Sequence, residues 1–214
     1  MARSWVPAAA LPLILISLPA LAWQADHPHT HGAAETLGTV VFPTSCRPEA
    51  KAEFNRAMAL LHSFGYEESR KGFQEVARRD PRCGMAQWGI AMTYYHPIWA
   101  PPTPSELAAG REAAKKASAL GAATERERAY IAAIGAFYAE SAPDHRTRAL
   151  AFRDAMADVA RRFAEDEEAA IFQALTLLAT APPSDTTFAS QKQAAEGLNR
   201  LLARHPGIPG LPTM

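Results

Sequence analysis

The chain has 214 residues, with 22 Lys+Arg against 22 Asp+Glu, and is formally neutral. That length holds one ordinary core or a short repeat array, and neutrality without a Lys/Arg cluster excludes a nucleic-acid binder that works by counterion release. Its 46 alanines favour helices over sheet and predict an all-α fold.

The chain opens like an export signal. Arg3 supplies the positive start, Val6 to Leu21 a mostly apolar run, and Ala20-Leu21-Ala22 an A-x-A cleavage site, so residues 1–22 are expected to be removed and the mature chain to begin near Trp23. The run is short for a membrane anchor and is broken by Pro7, Pro12 and Pro19. No membrane span is expected after cleavage, and the periplasm or the exterior is the expected location.

Residues 23–45 follow as a leader without sustained period. His27, His29 and His31 alternate in it, a pattern that captures Cu²⁺, Ni²⁺ or Zn²⁺ but that also suits a merely polar leader. Val40, Val41 and Phe42 are apolar enough to dock over the edge of the first helices.

From Pro48 the apolar period is 3.6. PEAKAEFNRAMALLHSF places Phe54, Ala57, Met58 and Leu61 on one stripe, with Pro48 in the first turn. YEESRKGFQEVARRDP follows Gly65, carries Phe73, Val76 and Ala77, and stops before Pro81. CGMAQWGIAMTYY is spaced by Gly84, Ala86, Gly89 and Ala91, which admit a neighbouring backbone.

These helices resemble the 34-residue tetratricopeptide (TPR) repeat. With Asp80-Pro81 closing a repeat that starts at Ala50, Ala57, Leu60, Phe73 and Pro81 match its small, large, aromatic and proline positions, and Ser69 stands where the consensus has alanine. Ala86, Ala91 and Tyr94 match in the next repeat, while Trp88 lies one residue beyond the usual tryptophan.

Further along, Thr103 or Ser105 is positioned to cap a helix carrying Leu107, Ala114, Ala117 and Leu120. Thr124 and Glu127 have capping-box spacing, and Asp144 caps HRTRALAFRDAMADVARRF. DEEAAIFQALTLLAT and TTFASQKQAAEGLNRLLARHP complete about eight helices, or four hairpins. The expected architecture is thus TPR-like antiparallel helical hairpins stacked as a short solenoid over residues 46–206, with an irregular tail at 207–214.

The wording FPTSC, FNRAMALLHSFGYEES, MAQWGIAMTYYHPIW, TERERAYIAAI, DHRTRAL and EAAIFQALTLLATAPPSD resembles a family of exported bacterial TPR proteins over most of residues 38–206. Members continue past the equivalent of ARHPGIPG through further repeats, which implies that this chain corresponds to their N-terminal part. An array ending here leaves Phe188, Leu198, Leu201 and Leu202 short of a covering helix, so this end is expected either to form a homodimer through residues 186–204 or to be marginally soluble; the alternative is a tail that folds back over the leucines.

Cys46 and Cys83 mark neighbouring repeat entrances 37 residues apart, and an exported chain favours a disulfide between them. Buried free thiols and a thiolate metal site are the alternatives. His62 and His96 are 34 residues apart, in equivalent positions of adjacent repeats, and supply two ligands at most. Paired acids such as Glu125 with Glu127 and Glu167 with Glu168 read as solvation of exposed faces.

No HExxH, GxSxG, phosphate-cradling glycine loop or CxxCH occurs. The sequence therefore points to a binding module rather than an enzyme, taking a peptide or protein segment in its helical groove without a cofactor. Tyr66, Gln87, Tyr94, Tyr95 and Trp99 are the candidate contacts. The alternative is a metal-binding protein or metal-dependent oxidoreductase component, holding copper or zinc through His27, His29, His31, His62 and His96.

Overall fold

The computed structural model describes residues 37–204, which lie in one compact unit. Residues 1–22, expected as an export signal, His27, His29, His31, and the tail at 207–214 lie outside the described residues. Within them are eight helices: α1 (Pro48–His62), α2 (Tyr66–Arg79), α3 (Gly84–Tyr94), α4 (Pro104–Leu120), α5 (Glu125–Phe137), α6 (His145–Arg162), α7 (Glu167–Ala179) and α8 (Ala189–Arg204). Each packs on the next in the chain, and α3 also touches α1 and α5, giving stacked helical hairpins.

Local chemistry sets the ends. Thr103 and Thr124 each accept from the backbone N–H three residues on, while Glu106 and Glu127 reach back, so α4 and α5 both start with a capping box. The Asp144 carboxylate accepts from Thr147 N–H at 2.7 Å to start α6. Gly121, at φ +66°, ends α4 in a conformation costly for any side chain with a Cβ.

Helices α1 and α5 end two and three residues before the ends of the segments read for them, and α8 starts late. Helix α8 begins at Ala189, three residues after Thr186, because the Asp185 carboxylate accepts from the N–H groups of Thr187 and Ala189 and holds a turn there. Phe188 sits in that turn at φ +57°.

Small residues bring the first hairpins together. Ser69 is fully buried where α2 crosses α1, and its hydroxyl donates to the Ala57 carbonyl at 2.8 Å, so it is buried without being unpaired. Phe73 lies flat on Gly89, where an added Cβ would come within 2.4 Å of its ring. Phe54, Ala57, Phe73, Val76, Trp88 and Ala91 are all buried, and Leu60 is half-buried. Helix α3, apolar on nearly every side, is the central element.

The odd-numbered helices share one interior. Phe54 of α1, Trp88 of α3, Tyr130 of α5 and Phe172 of α7 belong to one core, and the ring centroids of Trp88 and Phe172 are 5.8 Å apart. Into its centre runs the segment before α1. Phe42 lies 5.5 Å from Phe54, 5.5 Å from Trp88 and 5.3 Å from Tyr130, under the Arg126 guanidinium at 4.3 Å. Val40 is also buried, whereas Val41 is 74% exposed, the alternation of an extended chain. This segment plugs the array from within instead of covering an edge.

Candidate functional site

Curvature brings the last hairpin back to the first. Between the ends of α1 and α3 on one side and α7 with α8 on the other is a cavity of about 240 Å³. Met92, Ile171, Phe172, Leu175 and Leu198 make its apolar wall, and Tyr66, Tyr95 and His62 are its polar members. Its mouth is unusually apolar for a surface: Ile98 is 39% and Leu178 36% exposed. Trp99, 62% exposed, stands beside it, its ring edge-on to Phe64 at 5.8 Å.

Phe64 joins that mouth at a backbone cost. It follows α1 at φ +59°, the left-handed region, although glycine is its next neighbour. A bulky residue there costs about 1–2 kcal/mol. The return is a ring at the cavity wall, 6.3 Å from Tyr66.

Two tyrosines give the cavity hydrogen-bonding capacity. Burial pushes the Tyr66 phenol up to about 12, and raises Tyr95 as well, so both stay neutral donors under ordinary conditions. Tyr95 is wholly buried, and its hydroxyl has no partner among the described residues.

His62 links α1 to α7 through its side chain. Its Nε2 lies 2.8 Å from Glu168 Oε2 of α7, and both residues are buried. Its imidazole also packs at 5.4 Å on Phe172. Glu168 thus corrects the reading of Glu167 and Glu168 as simple solvation, and Glu127 corrects the same reading of Glu125 and Glu127. Glu127 is 1% exposed because it caps α5 and accepts from Ser45 N–H at 2.7 Å. In both cases the tertiary partner lies too far along the chain to be read from an acidic doublet.

The five candidate groove residues divide between two faces. Tyr66 and Tyr95 line the cavity and Trp99 stands by it, whereas Gln87 and Tyr94 line a separate surface depression between α2, α3 and α4. Arg70 lies 4.7 Å over the Tyr94 ring there. Neighbouring positions at the end of a helix point in different directions, which separates Tyr94 from Tyr95.

Among the described residues, the histidines of α1 and the α3–α4 loop belong to no three-donor group. His62 engages Glu168, and the His96 ring packs on Tyr66 at 4.6 Å. Three metal-type donors do converge elsewhere: Cys46, Asp80 and Cys83, all buried, offer atoms within 4.8 Å of one another. Cys46 and Cys83 are joined as a disulfide with Cα atoms 5.0 Å apart. Such a bond contributes roughly 2–4 kcal/mol by restricting the unfolded chain.

No family model matches the chain, and no curated protein or solved structure matches it. Among the described residues, no helix is long and apolar enough to cross a membrane.

Proposed function

We propose that this is an exported, periplasmic or secreted TPR-like interaction module that captures a peptide or protein segment by one apolar side chain. The observation that carries this reading is the cavity between α1, α3, α7 and α8, apolar inside and ringed by exposed Ile98, Trp99 and Leu178. Exposed apolar rims around a preformed cavity mark binding sites rather than ordinary surface. The Tyr95 hydroxyl offers a hydrogen bond to a polar atom beside the anchor, and bonded hairpins of small-residue helices hold the walls in place.

Selection of a displayed peptide library on the mature chain tests this. Bound sequences are expected to share one large apolar residue, and Leu175→Trp, which fills the cavity, is expected to abolish their binding while helicity is retained. Selected peptides indifferent to Leu175→Trp would reject the reading.

A second reading, metal binding, is favoured by a different observation. It is the convergence of Cys46, Asp80 and Cys83, and not of histidines, that supplies the donors.

A further inference from the structure

We propose that Cys46, Asp80 and Cys83 form a redox-gated site for a soft divalent cation, zinc by its chemistry, closed while the two sulfurs are bonded to each other and opened by their reduction. This rests on the metal-binding reading and adds to it the state in which the site exists.

The geometry comes first. Tetrahedral zinc holds sulfur at about 2.3 Å, which places its donors about 3.7 Å apart, and the three side chains already offer atoms within 4.8 Å of one another. All three are anchored. Asp80 ends α2, and its carboxylate accepts from Arg47 N–H at 2.9 Å and Arg82 N–H at 3.3 Å. Cys83 is the N-cap of α3, where Ala86 N–H donates to its Sγ at 3.2 Å. Cys46 lies on the segment stitched to α5 through Ser45 and Glu127. Reduction therefore leaves Cys83 Sγ with its N–H donor, and leaves Cys46 between Ser45 and Arg47, both of which keep their hydrogen bonds.

Electrostatics agree with a thiolate site. An N–H donor at a helix start favours the thiolate, the form a metal takes. Two thiolates and one carboxylate on a dication leave a net charge of −1. A shallow surface depression lined by Cys46, Arg47, Asp80, Arg82 and Arg128 sets cationic side chains around that charge and gives reductant and water a route to the fourth position. Arg47 Nε is already 3.9 Å from Asp80 Oδ1.

The chemistry balances with a protein dithiol as reductant. Its two thiols become a disulfide as the Cys46–Cys83 bond breaks, each released sulfur taking one proton. Both protons leave when the sulfurs bind the cation. A protein disulfide that accepts the two electrons, becoming a dithiol, restores the Cys46–Cys83 bond and expels the metal.

The test compares the mature chain, oxidised and reduced with a phosphine, after dialysis against zinc, with cobalt(II) absorption as an independent report of sulfur ligation. The leader histidines are replaced, His27→Ala, His29→Ala and His31→Ala, so that they contribute nothing. One zinc per chain is expected in the reduced form and none in the oxidised form, with a sulfur-to-cobalt charge-transfer band. Asp80→Asn is expected to weaken zinc at least tenfold with both thiols still titratable, and Cys83→Ser to abolish it. Circular dichroism follows the helices throughout. Equal zinc in oxidised and reduced chains would overturn the gating but keep a metal protein, with donors elsewhere. No zinc in either state, or a reduced chain that loses its helices and does not regain them with zinc, would overturn both.

Discussion

His62 of α1 and Glu168 of α7 meet at 2.8 Å across 106 residues of sequence, and their contact joins the first hairpin to the last. His62→Ala removes a buried hydrogen bond to Glu168 and the ring packed on Phe172, at a cost of about 1–3 kcal/mol. His62→Ala is therefore expected to lower the urea midpoint by that equivalent. Glu168→Gln, which keeps an oxygen near the ring, is expected to cost about 1 kcal/mol. Equal losses in the two variants would show that the His62 ring adds nothing to the closure beyond its hydrogen bond to Glu168.

The same substitution is expected to have opposite signs at two glycines. Gly89→Ala would place its Cβ 2.4 Å from Phe73, and the rigid ring has little room to retreat. A loss of about 1–3 kcal/mol is expected from overpacking. At Gly135, inside α5, an added Cβ meets nothing within 4 Å, so alanine is expected to stabilise by up to about 1 kcal/mol through helix propensity. Thermal melts of the two variants, moving in opposite directions, check both.

High pH offers a probe of the interior. Burial raises the phenols of Tyr66, Tyr95, Tyr130 and Tyr138, Tyr66 to about 12. Between about pH 10, where an unfolded tyrosine ionises, and the higher folded values, the native state binds more protons, so stability falls as pH rises. Phenolate absorbance is expected to rise together with loss of helicity above about pH 10. Full ionisation of these rings in a chain still helical would contradict their burial.

The expected association through α8 now depends on fewer residues. Leu201 is buried, Leu202 is half-buried and Leu198 lines the cavity, leaving Phe188 as the large apolar side chain still 58% exposed at this end. Light scattering across a concentration series is expected to show a dimer that Phe188→Glu dissociates. A wild-type chain that stays monomeric at every concentration would eliminate this interface.

Legibility of the sequence follows how far apart the interacting residues lie. Thr103, Thr124 and Asp144 act on residues three positions away, and each cap was readable from spacing. Cys46 and Cys83 were readable because neighbouring hairpins repeat a geometry. His62 and Glu168 were not, because their meeting depends on curvature accumulated over seven helices. Nor was the central place of Phe42, whose neighbours come from α1, α3 and α5 at once. The cavity was half legible: Tyr66 and Tyr95 were candidates, but its wall of Ile171, Leu175 and Leu198 reads in sequence as ordinary helix core.

Repeat arrays in which each unit touches only its neighbours can fray from an end and fold from any starting point. Phe42 removes that freedom here. It packs against Tyr130, while Arg126 donates to the Pro43 carbonyl and Ser45 to Glu127, so residues 42–45 are fastened to α5 across more than 80 residues. The middle hairpins enclose a ring that the N-terminal segment must deliver, and the enclosure is finished only when both have arrived. Contacts of such long sequence separation slow folding, and they turn a chain of separable units into a single cooperative one. Deleting Phe42 would then be felt at α5 as strongly as at α1, and the hairpins would melt together instead of peeling away one at a time.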